Sequence, residues 1–216
     1  DGNSNTANCV AVVTVADTVS PIVNCQNINA YLDATGNIAI AAADIDNGST
    51  DNCGAVTLAA SQSAFTCAEI GVNNVTLIVT DANSNIDSCV AVVTVIDSLI
   101  PVVSCQNINA YLDGTGSVTI AAADIDNGST DNCGTVTLSA SLTTFACLDI
   151  GVNNVTLTVT DANSNVDSCL AVVTVIDTVA PIVVCQNVNA YIDAAGNATI
   201  AASDLDGGST DNCGAV

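Results

Sequence analysis

The chain repeats itself with a period of about 80 residues, and this periodicity limits its possible folds more than any other feature of the sequence. Its eleven cysteines follow one pattern, because every cysteine from Cys89 onward lies one period after an earlier one. Residues 21–100 and 101–180 differ at 20 of 80 aligned positions, and most of these changes are conservative. Such a period is typical of an array built from one structural unit.

The period divides the chain into four segments. Residues 1–20 match the end of a repeat, 21–100 and 101–180 are complete repeats, and 181–216 match the beginning of a further repeat. Since both ends are out of phase, we interpret the chain as a segment of a longer repeat polymer. The alternative is a subunit that lends its first strand to the incomplete last domain of a neighbour. The junctions between repeats are short and each ends at a proline, which favours stiff connections.

Alternating side chains within each repeat predict β-strands. In residues 74–81, Val75, Leu77 and Val79 would share one face of a strand. Residues 88–97 alternate in the same way, and 38–45 and 55–61 are predicted as further strands. Six or seven short strands in one period indicate an all-β fold. We therefore predict a tandem array of ~80-residue immunoglobulin-like β-sandwiches that forms a rod or fibre.

The charge of the chain excludes several classes of function. It carries 22 acidic residues and no Lys, Arg or His, while half of its residues are hydrophobic. Without basic residues it cannot neutralise phosphates, so we expect no nucleic-acid partner. No apolar run is long enough for a spanning helix, so we expect no membrane insertion within this segment. Paired carboxylates could indicate a glycosidase, but neither a cleft nor aromatic sugar platforms are apparent in the sequence. Since His, Lys, Arg and a Ser–His pair are also absent from it, we expect no enzyme activity.

Carboxylates gather in three places of each repeat: the stretch "DIDNGSTD", the stretch "DANSNID" and the junction before the proline. In an immunoglobulin-like sandwich these places meet at the pole where the chain arrives from the preceding repeat. Calcium binds six to eight oxygens of this kind and needs no nitrogen or sulfur. Calcium is therefore the expected cofactor, and it would clamp one repeat to the next. The predicted ligands are Asp17, Asp44, Asp46, Asp51, Asp81, Asn83, Asp97, Asp124, Asp126, Asp131, Asp161, Asn163, Asp177, Asp204, Asp206 and Asp211.

Asp and Asn also form turns and keep secreted proteins soluble. This simpler interpretation is the one we apply to Asp33 and Glu69. It competes with the calcium interpretation for every isolated acid. The clusters favour calcium because no cationic side chain is present to neutralise them.

Several motifs of the repeat together resemble a known family. The order is "PIVNC", "DNCG", "FTC", "GVNNVTLIVTDANSN" and "SCVAVVTVID". This order is similar to that of hyalin-repeat (HYR-like) modules, which occur in tandem in secreted and surface proteins of bacteria. The chain departs from the family pattern at Gln26 and Ser84 and in having no basic residue. The resemblance implies an immunoglobulin-like fold, a role in adhesion or surface architecture, and no catalysis.

Each repeat holds four cysteines, which allow three pairings. We favour Cys25–Cys89, which would join the opening strand to the closing strand, and Cys53–Cys67, which would close a short loop. The second repeat would then contain Cys105–Cys169 and Cys133–Cys147. Cys9, Cys185 and Cys213 would have no partner in this segment. The alternative is that the cysteines are free thiols, although no base is present to activate them.

Glycan acceptors are a further possibility. Asn74 and Asn154 lie in N-x-[ST] sequences. Thr18, Ser98 and Thr178 follow an aspartate at each junction and precede a hydrophobic residue, which resembles an O-glycosylation signal of Bacteroidetes-type bacteria. The competing interpretation is that these are ordinary junction hydroxyls.

These features together predict a structural protein of an extracellular filament or surface fibre, secreted or attached to a cell surface. Its main partners would be copies of itself. The alternative is the stalk or body of a calcium-dependent adhesin. The near-identity of the repeats favours the first function, because a recognition domain would be expected to differ from its neighbours.

Overall fold

The computed structural model describes residues 2–214. Contacts divide the chain into a first unit that ends at Ser98 and a second unit that begins at Leu99. Each unit is built mainly from β-strands around its own core. The strand bounds of the second unit reproduce those of the first, shifted by one period of the sequence.

The described part of the first unit, from residue 2 onward, contains six strands. They are β1 (Ile28–Tyr31), β2 (Asn37–Ala39), β3 (Thr57–Ala60), β4 (Ala64–Thr66), β5 (Gly71–Thr80) and β6 (Ile86–Ile96). Two one-turn 3-10 helices, Ala42–Asp44 and Cys67–Glu69, lie between strands. The Ala-rich stretch 38–45 was predicted as one strand. It is a strand only as far as Ala39 and then turns, because the side chain of Asp44 accepts a hydrogen bond from the amide of Ala41 at 2.7 Å.

The second unit repeats this order. Its strands are β7 (Ile108–Tyr111), β8 (Ser117–Thr119), β9 (Thr137–Ala140), β10 (Thr144–Ala146), β11 (Gly151–Thr160) and β12 (Val166–Ile176). Its 3-10 helices are Ala122–Ile125 and Cys147–Asp149. Beyond β12 the unit holds a short helix, Ala202–Leu205, and the isolated bridges Ile182↔Thr210 and Cys185↔Asp206.

Each unit packs a four-stranded sheet against a two-stranded sheet. The larger sheet of the first unit has the order β1-β6-β5-β3, and the smaller pairs β2 with β4. β5 and β6 form a long antiparallel hairpin, whereas β1 pairs with β6 in parallel. The fold is therefore an all-β sandwich of the immunoglobulin type, as the sequence predicts.

The core follows the alternation of the long hairpin. Val75, Leu77 and Val79 of β5 are fully buried, as are Phe65 of β4 and Ile45. In a strand, every second side chain points to the same face, so the pattern of the sequence becomes one apolar face. Phe145 occupies the same place in the second unit.

The strand directions give each sandwich two distinct ends. Thr80, at the end of β5, pairs with Thr57 at the start of β3 and with Ile86 at the start of β6. The loop that follows Thr50 and the turn between β5 and β6 therefore lie at the same end, which we call the head end. At the tail end lie the turn between β1 and β2 and the start of β5, where Gly71 pairs with Val95. The ten residues of β5 separate the two ends by about 30 Å.

Candidate metal centre and disulfides

Three carboxylates meet at the head end of the first unit. Asp17 comes from the segment before the first repeat, Asp51 from the loop after Thr50, and Asp81 from the turn between β5 and β6. Each offers an oxygen that lies within 4.8 Å of the others. Asp81 is buried, and the other two are half-buried.

A network of amides holds Asp81 in place. Its Oδ1 accepts hydrogen bonds from the amides of Asn83 and Asn85, both at 2.8 Å, and its Oδ2 accepts from Asn85 Nδ2 at 2.7 Å. Burial alone would raise the pKa of Asp81, but the hydrogen bonds from Asn85, Asn83 and Ser84 outweigh it and hold the pKa below the usual value of 3.8. Asp81 is therefore fixed in its charged form.

Asp17 completes the cluster. Its Oδ1 accepts from the amide of Val19 at 3.1 Å. Its Oδ2 is buried and accepts no hydrogen bond from an N–H or O–H group. A hydrogen bond between the Cys53 thiol and the Asp17 carboxylate is the largest cause that raises the pKa of this thiol, followed by burial and by the charges of Asp17, Asp51 and Asp81. The site therefore has a strongly negative electrostatic potential.

The second unit has a corresponding head end. Asp131 and Asp161 offer oxygens within 4.8 Å of one another. Asp161 accepts from the amides of Asn163 and Asn165 at 2.8 Å, as Asp81 does in the first unit. Asp131 Oδ1 is buried and has no hydrogen-bond partner. Asp97, which is predicted from the sequence as a ligand of this site, belongs to the first unit.

The donor set of the first unit fits a hard divalent cation. It consists of three carboxylates, and the chain has no Lys, Arg or His to neutralise them. Buried carboxylate oxygens normally have polar partners, and the Oδ2 of Asp17, which accepts no hydrogen bond from an N–H or O–H group, is available to such a cation. If bound there, the cation would neutralise the cluster, and Asp17, Asp51 and Asp81 would hold it.

Other predicted ligands have different partners. Asp44, Asp124 and Asp204 each accept from an alanine amide three residues earlier and so cap a helical turn. Asp46, Asp126 and Asp206 accept from the glycine and serine of "NGS" or "GGS" and fix that turn. Asn83 and Asn163 contribute backbone amides to the aspartate before them. A ligand role for these residues stays a prediction.

The last two predicted ligands to be described are Asp177, at the end of the second repeat, and Asp211, in the segment that follows it. Asp177 Oδ1 accepts from the amide of Val179 at 3.0 Å and from Asn212 Nδ2 at 3.1 Å, and Asp211 Oδ2 accepts from the amide of Cys213 at 3.0 Å. Asn212 Oδ1 is buried and has no hydrogen-bond partner. Sequence reasoning missed this asparagine, although its position next to Asp211 in "DNCG" was a usable signal.

Two predicted disulfides are confirmed. Cys25–Cys89 and Cys105–Cys169 each join the segment that opens a repeat to its last strand, with Cα atoms 6.0 Å apart. This separation is ordinary for a disulfide. Each bond ties the opening segment to the larger sheet.

The predicted Cys133–Cys147 bond is wrong, because Cys147 is bonded to Cys213, with Cα atoms 5.1 Å apart. Cys133 lies in the loop at the head end of the second repeat, whereas Cys147 begins the 3-10 helix at the tail end. The ten-residue strand β11 separates these ends by about 30 Å, far beyond the reach of a disulfide. The tail cysteine of one repeat therefore bonds to the "DNCG" cysteine of the next.

The predicted Cys53–Cys67 bond is wrong for the same reason. Cys53 lies at the head end beside Asp17, and its thiol is free. Cys67 lies at the tail end, 3.6 Å from the carbonyl oxygen of Gly36, and is disulfide-bonded. Cys9 and Cys185 are also free thiols. The prediction that Cys213 has no partner in this segment is wrong.

The candidate glycan acceptors are all exposed: Thr18, Ser98, Thr178, Asn74 and Asn154. Asn74 and Asn154 lie within strands on the solvent face of the larger sheet, where they pair with Val92 and Val172. Their modification stays a prediction. Among the described residues, no helix combines the length and apolar character needed to cross a membrane.

No protein-family model and no curated protein matches the chain. Solved structures do. Human mucin-like protocadherin EC1-2 matches with a TM-score of 0.37 and 11% identity, over 73% of this chain and 98% of that chain. Mouse cadherin-23 EC22-24 matches with 0.34 and 14%, over 74% and 65% of the two chains. The fibronectin(III)-like modules of Clostridium thermocellum CbhA match with 0.26 and 12%, over 73% and 94%.

These TM-scores and identities are too low to carry an argument about function. The resemblance to hyalin repeats and a bacterial origin stay predictions.

Proposed function

We propose that this chain is part of an extracellular structural array, in which calcium neutralises the head end of each repeat and disulfides secure the fold. The observation that carries the proposal is the meeting of three carboxylates, since Asp17, Asp51 and Asp81 each offer an oxygen within 4.8 Å of the others. Asp17 precedes the first repeat, so a cation held by all three would tie the junction to the domain. The role is structural, and we propose no enzyme activity.

The disulfides support an extracellular location. Such bonds form and persist mainly in oxidising compartments. The net charge of −22 keeps separate chains apart unless cations are present. Copies of the same chain, joined into a filament, are the partners that we propose.

Calcium binding can be tested on the whole chain by thermal unfolding. We expect the melting temperature in a chelator to rise when calcium is added and to rise less with magnesium, which prefers a stricter octahedral site. Binding to the folded state alone would add about 2.7 kcal/mol at a calcium concentration 100 times Kd. Calorimetric titration of the metal-free protein would give Kd and the number of ions.

A pair of matched variants locates the site. Asp81→Asn with Asp161→Asn removes one carboxylate from each head end and should abolish most of the calcium-induced rise. Asp33→Asn with Asp113→Asn removes the same charge from the turns at the tail ends and should leave the rise intact. An equal calcium response in both variants, or none in the wild type, would contradict the proposed site.

Electron microscopy of the native material tests the array itself. Filaments with one repeat per domain length support a structural fibre. Isolated stalks that end in a different domain would instead support the stalk of an adhesin.

A further inference from the structure

Cys105–Cys169 and Cys147–Cys213, both within the second unit, close loops that overlap in sequence. Cys105–Cys169 closes one loop, and Cys147–Cys213 closes a second that begins inside the first and ends beyond it. Only the segment 147–169 belongs to both loops. The pairing predicted from the sequence, Cys133–Cys147, would instead have been nested inside the first loop. The difference matters when the ends of the unit are pulled apart.

A nested bond does not shorten the covalent path between the ends of the unit, because the outer bond already excludes the nested loop from that path. Overlapping bonds act together, because the shortest covalent path from Cys105 to Cys213 must use both. This path crosses the first disulfide, follows 22 residues back from Cys169 to Cys147, and crosses the second disulfide. Fully stretched, it is about 90 Å long.

Removing either bond lengthens the path greatly. Without Cys147–Cys213, the path follows 44 residues from Cys169 to Cys213 and reaches about 160 Å. Without Cys105–Cys169, it follows 42 residues from Cys105 to Cys147 and reaches about 150 Å. Without both bonds, the 108 residues reach about 380 Å.

The junction bond is seated in a close contact. Cys147 Sγ lies 3.3 Å from the carbonyl oxygen of Asn212 and 3.5 Å from that of Gly116. Asn212 Nδ2 donates to the backbone carbonyl of Asp113 and to Asp177 Oδ1, both at 3.1 Å. The "DNCG" segment of the following repeat is therefore fixed to the tail end of the second repeat by two hydrogen bonds from Asn212 as well as by the disulfide.

We propose that the array bears tension, and that the overlapping disulfides make each junction a covalent tether that lengthens little even when the sandwich unfolds. Because the repeats share one sequence, we expect the same bond wherever a complete repeat is followed by another. This inference rests on the proposed structural role, and it specifies tension as the load that the structure resists. It does not depend on calcium.

Force spectroscopy on the full chain tests the tether. Pulling handles are attached through unnatural amino acids in place of Ser104 and Gly214, just outside the two bonds. The wild type should stop lengthening at about 90 Å between the handles. Cys147→Ser with Cys213→Ser should reach about 160 Å, Cys105→Ser with Cys169→Ser about 150 Å, and the fully reduced chain about 380 Å. Replacing both partners of a bond leaves no new free thiol.

The pattern of lengths decides the outcome. If Cys147→Ser with Cys213→Ser leaves the maximum length of the oxidised chain unchanged, the junction bond carries no load and the tether is wrong. The same holds if the oxidised wild type stretches as far as either of the two variants. If the chain forms filaments but gives one of these contradicting lengths, the tether is wrong and the proposed array still stands. If the lengths are as expected but no filaments form, the proposed array is wrong and the covalent tether within the chain still stands. Peptide mapping of the oxidised protein confirms that each variant folds with its remaining bond.

Discussion

Asn85 joins two of the three aspartates at the head end of the first unit. Its Nδ2 donates to Asp81 Oδ2 at 2.7 Å and to the backbone carbonyl of Asp17 at 3.2 Å. One amide therefore holds both the turn between β5 and β6 and the segment that precedes the repeat. Two of the three aspartates are therefore held together by the protein itself.

Replacing Asn85 with alanine should loosen this head end. The change leaves Asp81 Oδ2 buried without its donor, and an unsatisfied buried acceptor costs about 1–3 kcal/mol or more when charged. We expect a lower free energy of unfolding and weaker calcium binding, measured by urea denaturation and calorimetry. The control is Asn83→Ala, and the stabilities of the two variants are compared in chelator. Asn83 supports Asp81 with its backbone amide, which alanine retains. Equal losses in the two variants would argue against a specific role for the Asn85 side chain.

Gly116→Ala should disturb the junction disulfide. Gly116 has φ of +73°, and a Cβ there would lie 2.6 Å from Cys147 Sγ and 2.8 Å from the carbonyl oxygen of Asn212. We expect incomplete closure of Cys147–Cys213, seen as additional free thiols in a titration of the unfolded protein. Gly114→Ala is the matched control, since a Cβ at Gly114 meets no atom within 4 Å. A wild-type thiol count in Gly116→Ala would mean that the junction tolerates the extra methyl group.

Phe145→Ala should destabilise the second unit strongly. The ring is 1% exposed and lies in the core with Val155, Leu157 and Ile125. Deleting a buried Phe side chain costs about 3–5 kcal/mol. Leu148→Ala, at a residue that is 99% exposed, should change stability by less than about 0.5 kcal/mol. Chemical denaturation followed by circular dichroism would separate the two, and similar losses would contradict the assigned core.

Acid should destabilise the protein even without calcium. The hydroxyl of Ser49 is the main cause that lowers the pKa of Asp46, and amides lower that of Asp81 against the effect of burial. A carboxyl whose folded pKa lies below its unfolded value contributes stability above the unfolded pKa, and this contribution is lost as pH falls through the folded pKa. The melting temperature in chelator should therefore drop as pH falls below about 3.8.

Asp46→Asn together with Asp126→Asn should make that drop shallower. These residues hold equivalent turns in the two repeats, and asparagine cannot titrate. Both proteins should be compared by thermal scans between pH 2.5 and pH 6, a range around the usual Asp pKa. If the two profiles run parallel throughout the range, the turn carboxylates do not contribute to acid sensitivity.

The sequence predicted the core well because its signal is local. The alternation of Val75, Leu77 and Val79 defines a strand face without any knowledge of the fold, and these three residues are buried as expected. The stretch 38–45 was predicted less well, since alanine fits a strand or a turn and the hydrogen bond from the Ala41 amide to Asp44 decides between them.

The cysteine pairing could not be predicted from the sequence in the same way. In a periodic chain, Cys133 and Cys213 are equivalent positions, so spacing alone does not say which of them bonds Cys147. The answer depends on which end of the sandwich each cysteine occupies, and that depends on strand direction. The meeting of Asp17 with Asp51 and Asp81 likewise depends on the topology of the loops. The acidic clusters themselves can be recognised from the sequence alone.

The parallel pairing of β1 with β6 also has a consequence for how such a chain can grow. Because the first and last strands of the sheet run the same way, a repeat receives the polypeptide at one end and releases it at the other. A tandem duplication of the codons for one period therefore adds one complete domain without rerouting any neighbouring strand. Its new cysteines arrive already in register with the repeats before and after it. Lengthening the protein by recombination within its own gene then requires no new structural solution.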